Sequence, residues 1–339
     1  MAGKTAPGKP GAQPFNLVAV VQSGRLAYEA LILAASLRAS APALAGRLYL
    51  AEPLPGWRWP DGDPRLPDGP LRDALQALGA RFVGFESRFF GASYPYGNKI
   101  ECLAALPEGE PFLFLDTDTL VTGALDLVPF DFGRPTASVR VEGTWPEPQP
   151  YAGYTAIWKS LYDRFGLDFA RTLDPAWPDD YWRRYLYFNA GWFCGGCPHR
   201  FGKRFADYAV ALRNDPGDML AAQSLNPWLD QVALPLTIAS FGGGRPGPEL
   251  AGMDGEVTCH WRRLPLLYAR ESDRAVEVLE AVTAPREVKA LLKEWEPARK
   301  LIYQGKGRQK VRPLFDRTDL PVREQTLRNA IKREGWWLV

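Results

Sequence analysis

The run Phe112-Leu-Phe-Leu-Asp116-Thr-Asp118-Thr-Leu-Val121 sets two carboxylates one residue apart at the end of an apolar, strand-like segment. Two acids at a strand end can reach one hard cation together, one directly and the other directly or through water. A divalent cation held there neutralises a diphosphate and stabilises it as a leaving group. Such a pair also occurs where acids cap helices or close loops. Its position after the fourth strand of the pattern described below favours metal binding.

Other candidates are scattered along the chain. His260 ends a strand-like run from Glu256 and is one of only two histidines. Its imidazole suits a third ligand position for manganese, which accepts oxygen and nitrogen alike, although a lone strand-end histidine also serves as a partly buried structural residue. Arg262 and Arg263 follow it, and a guanidinium grips phosphate oxygens in two places. Lys99 opens a helix with Ile100, Leu103 and Leu106 on one face; it is either a solvated first-turn residue or a point charge aimed at a nucleotide or sugar. Asp230, in Pro227-Trp-Leu-Asp-Gln-Val-Ala-Leu, is either an exposed helix acid or a group that binds a sugar hydroxyl or acts as a base. Cys194-Gly-Gly-Cys197, with His199 and Cys259-His260, has zinc-ligand character. Against zinc, Cys194 ends an apolar run and reads as a buried strand residue, and His199, next to Pro198, reads as surface.

These groups need a frame. Residues 1–14 carry Gly, Pro and Lys without apolar periodicity and are expected to form a disordered leader. Phe15–Val21 is a short apolar run suited to a strand buried on both faces, followed by Ser23-Gly24 and a helical pattern through Leu31, Ala34, Ala35 and Leu37. Strands are expected at Gly46–Ala51, Arg81–Phe85 and Phe112–Leu115, with helices near Leu71–Leu78 and Asn98–Leu106. Such alternation implies an α/β fold with a doubly wound, mostly parallel sheet and helices on both faces. Ligands bind such sheets beyond the carboxyl ends of the strands, where the winding reverses. Asp116-Thr117-Asp118 stands at such an end.

Between Trp145 and Tyr187 strand signals are few and aromatics many, as in a wall over a site. Trp158 and Trp182, with polar and charged neighbours, are the ones assigned to stacking on a sugar or base. A further strand is expected at Tyr185–Cys194, then a helix after Phe201, an amphipathic stretch at Pro227–Ile238 and a strand at Glu256–Trp261. The rest reads as helical, with Pro285 and Pro321 in first turns.

The order Asn98-Lys99, FLFLDTDTLV, YFNAGWF with Asn189-Ala190-Gly191, Asp230-Gln231 and Cys259-His260-Trp261 resembles the GT-A (Rossmann-like) glycosyltransferases. It is most similar to the retaining family that includes glycogenin and bacterial lipopolysaccharide galactosyltransferases. The resemblance spans roughly residues 15–265. It implies Mn²⁺ or Mg²⁺ held by Asp116, Asp118 and His260, a UDP-sugar donor near Lys99 and Thr117, and Asn189 with Asp230-Gln231 beside the transferred sugar. The family's Gly-x-x-Lys-Pro-Trp after the histidine is replaced here by Trp261-Arg-Arg-Leu-Pro265. A catalytic domain is then expected over 15–270 and a basic helical extension over 271–339.

The totals fit this reading. The 339 residues hold 41 Lys+Arg against 39 Asp+Glu, a net charge of +2, which is no field for drawing a protein onto nucleic acid. No stretch approaches the ~20 apolar residues of a membrane span, and a cytoplasmic location is expected. The basic segment Arg299–Arg333 with its Trp-Trp-Leu-Val end is either a solvated face with a docked tail or a weak peripheral membrane contact. The expected activity is transfer of a sugar, with retention, from a nucleotide sugar to a saccharide or glycolipid acceptor. The rival readings are a GT-A-like module that binds a nucleotide or glycan without turnover, and a sugar nucleotidyltransferase. The second lacks its glycine-rich phosphate loop, since Val21-Gln-Ser-Gly24-Arg25 offers one glycine.

Overall fold

The computed structural model describes residues 14–139 and 145–338; residues 1–13 of the expected leader and Val339 of the tail lie outside them. The first part alternates as β1 (Asn16–Val20), α1 (Arg25–Ser40), β2 (Leu48–Pro53), α2 (Pro70–Ala77), β3 (Arg81–Phe85), α3 (Asn98–Glu101) and β4 (Phe112–Leu115). These strands run parallel in the order β3-β2-β1-β4, so the winding reverses between β1 and β4. After β5 (Thr119–Val121), the strands β6 (Thr136–Ala137) and β7 (Trp192–Gly195) complete a six-stranded sheet, β7 running antiparallel to both β4 and β6. β5 leaves that sheet and pairs antiparallel with β8 (Thr258–His260).

Side chains alternate across a strand, so strands apolar at every position need cover on both faces. In β1, Leu17 and Ala19 join one core while Val18 joins the other; in β4, Leu113 and Leu115 divide from Phe112 and Phe114 in the same way. The second core takes α3, α4 (Tyr154–Arg164), α5 (Pro198–Asn214) and α6 (Leu229–Ser240). The first takes α1 with α7 (Leu264–Arg270), α8 (Asp273–Val282), α9 (Arg286–Leu292), α10 (Glu296–Ala298) and α11 (Glu324–Arg333). Residues from Leu264 to Ile331 thus share a core with Leu17 and Leu31. The doubly wound, mostly parallel α/β architecture with helices on both faces is the expected one.

Several local expectations are corrected. The strand expected from Tyr185 is formed only at Trp192–Gly195. Tyr185 and Phe188 are buried in irregular backbone, and Ala190 takes φ 56°, which breaks an extended chain. Apolarity there reports burial beneath α4 and α6 rather than a ladder. The helix expected to Leu106 is α-helical only to Glu101 and tightens into a 3₁₀ turn to Ala105. The stretch expected to be amphipathic is α6, buried at nearly every position from Leu229 to Ile238 because it lies between α5 and the second core. Pro321 precedes α11 by three residues instead of entering its first turn. Trp158 is 1% exposed and packs edge-on against Trp145 at 5.2 Å, so it is core and cannot stack on a substrate. His199 keeps 36% of its side chain exposed, with Nε2 2.7 Å from the Leu106 carbonyl.

Candidate active site

β4 and β5 are joined by Asp116-Thr117-Asp118, which carries the chain from one sheet to the other. The Asp116 N–H donates to the Gly191 carbonyl at 2.9 Å, and the Asp118 carbonyl accepts from the Trp261 N–H at 2.9 Å. Thr119 pairs with His260 in the β5–β8 register, which sets the imidazole beside Asp118. His260 Nε2 stands 3.1 Å from Asp118 Oδ1 and 3.7 Å from Asp116 Oδ2. One ligand atom from each of the three residues falls within 4.8 Å of the others, and among the described residues no other group of three or more His, Cys, Asp or Glu does so. Two carboxylates and an imidazole are the donor set that manganese accepts, and its oxygens suit magnesium. His260 Nδ1 is buried and, among the described residues, has no hydrogen-bond partner. Packing helps to orient the ring alongside the Nε2 contact with Asp118: a Cβ on Gly191 would lie 2.2 Å from Nδ1.

Lys99 is not solvated. Its Nζ lies 3.2 Å from Asp116 Oδ1, 3.5 Å from Asp230 Oδ2 and 3.2 Å from the Ala190 carbonyl, which the positive φ of Ala190 accompanies. Burial pulls the ammonium down, but Asp116 and Asp230 outweigh it and hold its pKa above the ordinary value. The two acids of the pair diverge. Burial raises Asp116 above the usual carboxylate range despite Lys99 and His260. Burial opposes ionisation of Asp118 too, yet the His260 ring, with Arg25 and Lys99 beyond it, holds it down at about 2. Glu29, on α1, is raised by burial and then by the Asp118 charge, against the pull of Arg25 and the Thr117 hydroxyl. Thr117 donates that hydroxyl to Glu29 at 3.0 Å, tying the acidic loop to α1.

Asp230 is buried at 1% exposure rather than displayed on a helix surface. The Tyr94 hydroxyl donates to Asp230 Oδ1 at 2.7 Å, and Tyr187 donates to Gln231 Oε1 at 2.8 Å. Asn189 Oδ1 accepts from the Gly191 N–H at 2.7 Å. Asp116, Thr117, Asp118, Lys99, Asn189, Asp230, Gln231, His260, Arg262 and Arg263 all line one cleft of about 790 Å³. It opens beyond the carboxyl ends of β1 and β4, where the winding reverses. Trp182 does not line it: the ring is covered by Arg183 at 5.1 Å on another part of the surface. Among the lining residues that sequence reasoning passed over are Glu29, Arg25, Tyr96, Trp228, Glu324 and Arg328. Only Glu29 left a trace, as the lone acid in the mostly apolar Ala27–Leu37 run.

A family model described as the Rhodobacterales glycosyltransferase domain matches residues 17–242. No curated protein matches the sequence. Solved structures similar to the chain include the galactosyltransferase LgtC in complex with donor and acceptor sugar analogues, at 16% identity over 81% of this chain and 99% of that one, with a TM-score of 0.45. The bifunctional glycosyltransferase WbbM matches at 13% identity over 86% of this chain and 53% of its own, with a TM-score of 0.46. The glycosyltransferase GlyE of Streptococcus pneumoniae TIGR4 matches at 14% identity over 84% and 63%, with a TM-score of 0.43.

Proposed function

The chain belongs to the Rhodobacterales glycosyltransferase domain family, and we propose that it is a metal-dependent enzyme of the GT-A type using a nucleotide sugar, with UDP as the carrier. The acceptor class is a saccharide or a lipid-linked sugar, and transfer proceeds with retention, a reading that rests on the family resemblance. The observation that carries the proposal is the convergence of Asp116, Asp118 and His260 at the winding reversal.

Asp116, Asp118 and His260 would hold Mn²⁺ or Mg²⁺. When bound, the cation neutralises the diphosphate and eases its departure. The chain's own groups then position the sugar. Lys99 locks the Asp116 carboxylate and keeps a fixed positive charge in the cleft. Tyr94 and Lys99 together orient Asp230, one oxygen each. Tyr187 occupies the Gln231 amide oxygen, leaving its two N–H donors for a substrate hydroxyl. Arg262 and Arg263 line the same cleft and suit phosphate oxygens.

A thermal-shift screen of nucleotide sugars, with and without Mn²⁺, tests this reading, since a ligand that binds the native state raises its stability by mass action. A UDP-sugar is expected to raise the melting temperature more with Mn²⁺ than without. No shift from any nucleotide sugar with either cation overturns the proposal.

A further inference from the structure

The family model ends at residue 242 and the sequence resemblance near 265, yet part of the cleft wall is the later helix α11, through Glu324, Gln325 and Arg328. Arg328 is held firmly. Its Nε donates to Glu324 Oε1 at 2.6 Å, and its guanidinium lies over the Trp337 ring at 5.3 Å. Glu324 is buried and bonded in turn to Arg262 at 3.3 Å and Arg270 at 2.8 Å, which pins α11 to the segment just after β8.

Arg263 stands in that segment, three residues beyond His260 and half-buried. Its charge interacts with those of Arg25 and Arg328, which repel it, and with Glu29 and Asp118, which attract it. Among the described residues its guanidinium has no hydrogen bond or ion pair of its own. Arginines from the start of α1, the β8–α7 turn and α11 thus line one cleft together with the metal-ligand cluster. Carboxylates already face part of this charge, Glu29 beside Arg25 and Glu324 beside Arg328, and Arg263 is the arginine of the three that makes no ion pair among the described residues. Arg25 and Arg328 each spend part of their donors on a carboxylate, but a guanidinium has five N–H groups and retains others.

We propose that Arg25, Arg263 and Arg328 form a cradle for the donor's diphosphate that acts without the metal, and that α11 is therefore a donor-binding element. The inference deepens the nucleotide-sugar reading and rests on it for the identity of the phosphate carrier.

The test is calorimetric titration of the full chain with inorganic pyrophosphate in EDTA, and with UDP plus Mn²⁺. Wild type is expected to bind pyrophosphate without metal, more weakly as salt rises, and Arg263→Ala and Arg328→Ala each to weaken it about tenfold or more. Arg328→Lys keeps a positive charge beside Glu324 while losing the two-pronged grip, so it serves where Arg328→Ala lowers the melting temperature, and it too is expected to lose affinity. Unchanged pyrophosphate affinity in the Arg263 and Arg328 variants, or no binding by wild type, overturns the cradle. The two proposals fail separately. Arginine-dependent pyrophosphate binding without any nucleotide-sugar binding leaves the cradle and removes the donor reading; UDP-sugar binding indifferent to both arginines does the reverse.

Discussion

Gly191 and His260 are fitted to each other so closely that a methyl group on Gly191 would stand 2.2 Å from the imidazole Nδ1. The missing side chain leaves room for the ring to present Nε2 to Asp118 at 3.1 Å. Among the described residues Nδ1 has no hydrogen-bond partner, so the ring is held by its Nε2 contact with Asp118 and by the packing against Gly191.

Gly191→Ala is therefore expected to lower Mn²⁺ affinity roughly 10–100-fold, the usual cost of disturbing the support of a ligand. Combined with His260→Ala, it should add little further loss, because both act through one ring. Titration of Mn²⁺ with UDP present measures this. Wild-type affinity in Gly191→Ala would show that the ring does not need that space.

Asp116→Asn and Asp118→Asn should each abolish metal-dependent donor binding. The same titration, with circular dichroism to verify the fold, separates the effect from unfolding. Turnover of donor at the wild-type rate by either variant at limiting Mn²⁺ would refute the assignment.

The Tyr94 hydroxyl donates to Asp230 Oδ1 at 2.7 Å and accepts from the Asp230 N–H at 3.1 Å. Tyr94→Phe leaves both groups short of a partner in a buried place, at a cost of about 1–3 kcal/mol. Urea denaturation reads the loss, and a change below ~0.5 kcal/mol would mean that water replaces the hydroxyl.

Burial alone would raise Glu324, but Arg262, Arg270 and Arg328 outweigh it and hold its pKa below the ordinary value. A depressed folded-state pKa means that the stabilisation is complete above the unfolded value of ~4.3 and fades as pH falls through the folded one. Glu324→Gln should cost about 1.5–3 kcal/mol at neutral pH, because it removes one of the charged hydrogen bonds that buried Arg270 makes while leaving its bond to Glu271. The gap between wild type and variant should narrow at acid pH. Parallel stability curves from pH 7 down to pH 3 would contradict the arginine cluster.

Trp158→Ala should destabilise the whole fold by about 3–5 kcal/mol, as expected for a buried indole, with no selective effect on acceptor use. Trp182→Ala, which removes a half-buried surface ring, should leave the thermal midpoint nearly unchanged. A stable Trp158→Ala enzyme with only its acceptor kinetics altered would return that ring to the substrate.

The legible parts of this molecule are those written in local pattern. Arg81–Phe85 and Phe112–Leu115 appear at their expected limits because short apolar runs flanked by breakers leave little choice. Asp116 and Asp118 were visible because a strand end and a winding reversal coincide there. Other features depend on partners distant in the chain. Tyr94 meets Asp230 across 136 positions, and no periodicity in either segment announces it. The aromatic run before Trp192 looked like strand because irregular backbone packed against two helices is as apolar as a ladder. Trp158 was misplaced for a related reason: its polar neighbours Lys159 and Ser160 lie on other faces of α4, and only the face toward Trp145 decides its burial.

The order in which the chain leaves the ribosome bears on how α1 survives synthesis. The helix is buried from Ala27 to Leu37, but much of its cover, including Val276, Leu279 and Leu292, lies some 240 or more residues downstream. Through most of translation α1 therefore carries an unmatched apolar flank, while Asp116 and Asp118 await a histidine not yet made. A nascent chain stalled before β8 would present this greasy helix to chaperones and other stalled chains. The late helices thus close a core that the first hundred residues leave open on one side.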